Sequence, residues 1–168
     1  QPGTAPRQEE PGAAPGESPL AVGARLDRAL EGVVGRFHAL EREALRQASA
    51  TSAASNPDVL LWRGRVEREV GDIDSALMAF RGYLERGGRR GIGLIEVART
   101  EFLRGSLDAQ GPYYEGALLD DPQVVDQYRA DLAMVANDSA IAEFNVNAGQ
   151  RRVAFLRRFV ADPLLRRR

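Results

Sequence analysis

The chain contains no cysteine and no lysine, and only one histidine in 168 residues. Without cysteine there is no disulfide, no thiolate nucleophile, no cysteine metal site and no lipid-bearing cysteine on the chain as given. The redox compartment stays open. Without lysine, all 23 basic residues are arginine. Their planar guanidinium groups favour bidentate contact with carboxylates or phosphates over mobile point charges, and GC-rich coding is the plain source of such a bias. Long apolar runs are missing too: none approaches the ~20 residues needed to cross a bilayer. The formal net charge of -1 lacks the basic excess of a dedicated nucleic-acid binder, so no nucleic-acid partner is expected.

The scarcity of histidine limits the chemistry. His38 has no cysteine or acidic cluster at ligand spacing, which favours a helix-surface residue over a ligand or general base. Serine hydrolysis would need that same histidine, and no serine stands in a nucleophile-elbow motif. Asp72 with Asp74, and Asp120 with Asp121, lack the further oxygen ligands of a calcium loop and read as turn and capping residues. Glu115 and Asp120 have nothing to hold them across a bound sugar. No catalytic residue, no metal and no cofactor is expected.

What is present has ordinary globular composition and a length that suits one domain plus a tail. Residues 1–18 place Pro2, Pro6, Pro11 and Pro15 among glycines and small residues, with too little apolar surface to offset the entropy of folding. They are expected to form an extended arm, either a linker or a segment that docks along another surface. The opening at Gln1 has the character left by a removed signal peptide, so the chain is expected to be exported, periplasmic or on the periplasmic face of a bacterial membrane, and peripheral. A sequence trimmed to its ordered part would look the same. Residues 1–20 carry Glu9, Glu10 and Glu17 against Arg7, whereas the last 19 residues carry seven arginines against Asp162, so the two ends differ in sign.

Ser18 and Pro19 make a helix start, and Val22, Leu26, Leu30, Val33, Phe37 and Leu40 recur at helical spacing, predicting an amphipathic helix over 19–49 that packs along one side. Ala48 to Asn56 reads as a small polar linker before the next start at Asn56 and Pro57. From there the sequence repeats with a period of 34 residues. Leu60 falls on Leu94, Gly64 on Ala98, Arg65 on Arg99, Glu67 on Glu101, Gly71 on Gly105, Ile73 on Leu107, Phe80 on Tyr114 and Leu84 on Leu118.

Gly64, Gly71, Ala76 and Phe80 in the first copy, and Ala98, Gly105, Tyr114 and Pro122 in the second, resemble the tetratricopeptide repeat. In that family a small residue lets two helices approach, a glycine ends the first, and an aromatic of the second fills the gap. The resemblance covers residues 57–122, as copies 57–90 and 91–122. It implies an all-α fold: a short solenoid of helical hairpins with flanking cap helices. The second copy departs from the pattern at Gln110, Gly111 and Pro112, so its second helix should start late or kink near Gly111. The resemblance also implies a concave partner-binding face lined mainly by the first helix of each repeat, for which Leu61, Arg65, Arg68, Ile95 and Arg99 are the candidates; a solvated helix face is the plain alternative.

Gly87 to Glu96 imitates a glycine-rich phosphate loop, with Arg89 and Arg90 at a helix N-terminus. A helix, not a strand, precedes it, so a turn between repeats explains it better; any ligand there is expected to be a carboxylate of a partner protein.

Residues 123–162 read as capping helices. Val125, Tyr128, Leu132 and Val135 form one stripe, and Asn137 or Asp138 can cap a short helix through Phe144. A last helix then carries Val153, Leu156 and Val160 in one row, beside Phe155 and Phe159. Arg151, Arg152, Arg157 and Arg158 surround that row, which is either core or membrane-inserted, and a basic tail occupies 163–168. The run from Phe155 to Val160 after an arginine resembles the terminal part of GWxTD-domain proteins of bacterial envelopes. Both tryptophans of that pattern are replaced here and no Arg-Asp pair follows, so the resemblance assigns no chemistry.

These readings lead to a non-enzymatic interaction subunit that bridges or stabilises components of a larger, membrane-associated envelope complex. A Pro-rich arm before a tetratricopeptide body is similar to accessory extrinsic subunits of membrane assemblies, photosynthetic reaction-centre and light-harvesting complexes among them. The expected partners are other protein subunits, with anionic lipid headgroups touched by the arginine-rich end. The rival reading is a peripheral membrane or nucleic-acid binder acting through residues 151–168.

Overall fold

Local start and stop signals account for most element boundaries. The structure, a computed structural model, describes residues 18–51 and 56–161. The expected arm, the end of the polar linker and the basic tail therefore lie wholly or mostly outside the described residues. Eight helices follow in order, and no strand occurs among the described residues. Helix α1 (Pro19–Ala50) opens with the Ser18 hydroxyl accepting from the Ala21 amide at 3.3 Å. Helix α2 (Pro57–Glu69) is capped by Asn56, α6 (Pro122–Ala133) by Asp121 and α7 (Asp138–Val146) by Asn137. Each of these side chains accepts from a backbone amide that the first helical turn leaves without an internal partner. Helices α3 (Ile73–Glu85), α4 (Arg90–Leu103), α5 (Gln110–Leu118) and α8 (Gly149–Ala161) complete the series.

The 34-residue period has a backbone counterpart. Gly71 and Gly105 end α2 and α4 at φ 85° and 72°, the left-handed region where a Cβ would be strained. In both turns the amide three residues past the helix reaches back to a buried glutamate's carbonyl, Asp72 to Glu67 at 2.8 Å and Ser106 to Glu101 at 3.0 Å. This is the usual αL termination of a helix. The copies then diverge. Ile73 opens α3 directly, but Leu107 opens only a 3-10 turn (Leu107–Ala109), and α5 begins three residues later at Gln110. Pro112, without an amide hydrogen, is tolerated in that first turn.

The chain divides into two compact units, residues 1–40 and 41–168, with α1 continuing through the boundary. In the second unit, α2 and α3 pack as an antiparallel hairpin: Leu60 lies near Gly82, and Gly64 lies against the fully buried Phe80. One apolar core runs from this hairpin through Tyr83, Ile95 and Tyr128 to Phe144, Phe155 and Leu156. The Tyr128 hydroxyl donates to the Tyr113 carbonyl at 2.5 Å, satisfying a polar atom inside that core. Val153, Phe155, Leu156 and Phe159 of α8 are buried there too, so most of the C-terminal apolar row is core. Val160 is left exposed, as is Val135 of the expected α6 stripe; Val124 takes the buried place beside Tyr128.

No residue of α1 is buried. Its apolar row from Leu26 to Leu40 is more than half exposed at every position. His38 is half-buried on this helix, tilted against Phe37. No helix among the described residues is long and apolar enough to cross a membrane.

Candidate functional site

Arginine and carboxylate pairs tie α1 to α2, α2 to α4 and α4 to α6. From α1, Arg42 and Arg46 donate to the buried Glu67 at 2.5 and 2.9 Å. From α2, Arg65 donates to the buried Glu96 at 2.7 Å, while Arg68 stands 2.7 Å from its other oxygen as a close ion contact. From α4, Arg99 makes a bidentate pair with Asp131 at 2.8 and 3.0 Å and also donates to Gln127 at 2.7 Å. Planar forks on carboxylates are the use to which an all-arginine composition is suited.

These pairs change the reading of the expected partner face. Ile95 has no exposed surface and Leu61 is buried with it in the core; neither is presented to a partner. Arg65, Arg68 and Arg99 spend their guanidinium groups on this chain's own carboxylates. The helical period located these residues on one face, but it could not show that neighbouring helices of the same chain cover that face.

The remaining candidates divide similarly. Arg89 forks onto Asp121 at 2.7 Å to each oxygen, and Arg90 pairs with Glu115, so the turn at Gly87–Arg89 and the start of α4 are held by internal pairs. Arg152, expected on the surface, is buried and pairs with Asp120. Arg158 pairs with Glu143, and Arg157 lies over the Tyr114 ring at 5.1 Å. Arg151 is exposed, with no side-chain partner among the described residues.

Asp72 shows how one carboxylate serves two elements. It caps α3 by accepting from the Ser75 amide at 3.1 Å and pairs with Arg42. The Ser75 backbone hydrogen bond, then the Ser75 side chain, Arg42 and Arg46, hold its carboxyl below the ordinary value against an opposing desolvation effect. A lowered folded value means that the ionised form stabilises the fold above the unfolded value of about 3.9, and that this contribution is lost as pH falls through the folded value. Asp72→Ala is expected to cost about 1 kcal/mol near neutrality. The gap from the parent in urea unfolding should narrow below about pH 4; a gap that is constant with pH would refute the ionic part.

An open surface survives farther along. Between α4, α5, α6 and α8 lies a hollow of about 260 Å³, walled by Phe102, Tyr113, Tyr114, Val135, Phe159 and Val160, with Arg99 and Asp131 also lining it. A shallower depression lined by Arg68, Arg99, Phe102, Leu103 and Asp131 shares three of its residues, so the two form one groove. Phe102, Val135 and Val160 are about half exposed, at 48%, 49% and 53%. The rings form an edge-on series, Phe102 to Tyr113 at 5.6 Å and Tyr113 to Tyr128 at 4.7 Å. Burial pushes the Tyr113 and Tyr128 phenols well above their ordinary value, so both stay protonated near neutrality. Such walls hold apolar or aromatic groups through contact area, with the Arg99–Asp131 pair as polar rim.

Sequence reasoning did not pick out Phe102, Leu103, Tyr113 or Val160 for this site. One signal existed: Phe102 and Leu103 stand where the first copy has Arg68 and Glu69, so the second copy swaps two charges for two apolar groups at its helix end.

The fold and this groove define an all-helical chain with an apolar, aromatic-walled recess. No family model matches the chain, and no curated protein or solved structure matches it.

Proposed function

We propose that this chain is a non-enzymatic, tetratricopeptide-like interaction subunit that seats an apolar or aromatic side chain of a partner polypeptide in the groove between α4, α5, α6 and α8. The observation that carries the reading is a set of half-exposed large apolar side chains, Phe102, Val135 and Val160, lining a recess with one paired charge at its rim. Interfaces concentrate affinity in such desolvated anchor pockets. The hairpin of α2 and α3, with Gly64 against Phe80, and the matching turns at Gly71 and Gly105 support the repeat reading. Its setting, an exported protein of a membrane-associated envelope complex, rests on the likeness of the run from Phe155 to Val160 to GWxTD-domain envelope proteins and on the similarity of a Pro-rich segment before helical repeats to extrinsic subunits of membrane assemblies.

The test is purification of the tagged full chain from the cells that make it, in mild detergent, with its companions identified. A companion subunit should be retained by the parent chain and after a salt wash. Val135→Asp should weaken its binding at least about ten-fold while leaving the melting temperature within a few degrees. Retention by a folded Val135→Asp chain overturns the groove. Release by salt, together with loss of binding in Arg151→Glu and Arg157→Glu, would favour the rival reading of an anionic surface, which rests on the exposed Arg151.

A further inference from the structure

The part of α1 from residue 19 to residue 40 cannot be stable as a lone helix. Residues 19–40 include Gly23, Gly32 and Gly35, and a Cβ added at any of them would meet nothing within 4 Å. These glycines therefore serve no close packing within the chain, yet each disfavours helix by about 0.8–1 kcal/mol relative to alanine. Helices of this kind persist in water when an apolar face is covered. The row that would be covered, Leu26, Leu30, Val33, Phe37 and Leu40, is exposed by 54–73%. Its spacing of four, three, four and three is the seam of a left-handed coiled coil, with Leu30 and Phe37 at the a positions and Leu26, Val33 and Leu40 at d.

We infer that residues 26–40 of α1 pair with the same segment of a second copy as a parallel, two-stranded coiled coil. Charge selects both partner and direction. In parallel register the g residue of one helix meets the e residue five positions on in the other, which joins Arg36 to Glu41 of the second copy, twice by symmetry. Setting Leu30 beside Leu40 in an antiparallel pair would instead bring Arg36 beside its own counterpart and Asp27 beside Glu41. Both of these are like-charge contacts. The self-complementary arrangement is the parallel one, and it leaves the groove of the second unit unused.

Sedimentation equilibrium of the full chain should give twice the chain mass of 18.3 kDa. Arg36→Glu should weaken the dimer about ten-fold by replacing two attractive pairs with two repulsive ones. Adding Glu41→Arg to that variant should restore it. Because the chain has no cysteine, Leu26→Cys provides a clean reading of direction: a parallel pair places the two thiols side by side at the seam, where mild oxidation links them. In the antiparallel pair each would lie near Ala44 of the other copy, far from its counterpart. A chain that stays monomeric up to its solubility limit overturns the proposal. So does a dimer indifferent to the charge exchange, or one whose Leu26→Cys form does not cross-link.

Discussion

Asp120→Ala is expected to lower the unfolding free energy by about 3 kcal/mol, because it strands a buried guanidinium. Arg152 is 6% exposed, and Asp120 is the carboxylate paired with it among the described residues. Its Nε is buried without a partner, and its other face lies over the Phe144 ring at 5.4 Å. Asp120 also holds φ 51°, where a short polar side chain is tolerated better than alanine. The two costs can be separated. Asp120→Gly relieves the backbone and leaves the unpaired charge, so it should still cost about 2 kcal/mol. Arg152→Met combined with Asp120→Gly should recover most of the loss, since an apolar side chain of similar length needs no counter-charge. Urea unfolding followed by circular dichroism reads all three. A neutral Asp120→Gly would mean that Arg152 reaches water.

Gly64→Ala should cost about 2 kcal/mol, although alanine favours a helix interior by about 1 kcal/mol over glycine. An added Cβ would stand 2.5, 2.7 and 2.8 Å from three atoms of the Phe80 ring. Phe80 has no exposed surface into which it could swing, so α2 and α3 must separate. Gly35→Ala in α1 meets no neighbour within 4 Å and should increase stability or helicity. The opposite signs of the two substitutions, read in the same unfolding assay, distinguish close approach from helix propensity.

Features set by a few adjacent residues were legible in the chain. Asn56, Asp121 and Asn137 cap helices because a side-chain oxygen reaches an amide two or three residues on, and that needs no distant partner. The late start of α5 followed from Gly111 and Pro112 by the same logic. The buried identities of Ile95, Leu61 and Arg152 were not legible. A helical stripe fixes which residues share a face, but not whether that face meets water, a neighbouring helix or a partner. The repeat pointed to Arg65 and Arg99 as free contacts, whereas the neighbouring helices supply Glu96 and Asp131 to receive them.

By itself, then, the sequence determined an all-helical chain, its caps, its glycine turns and a 34-residue recurrence, because these arise from backbone chemistry within one or two turns. Only the tertiary structure decided which arginines are paired, that Arg152 is buried, and that Phe102, Tyr113, Val135 and Val160 converge on one recess. These groups lie in four different segments, α4, α5, the turn after α6, and α8, and come together only when the helices pack.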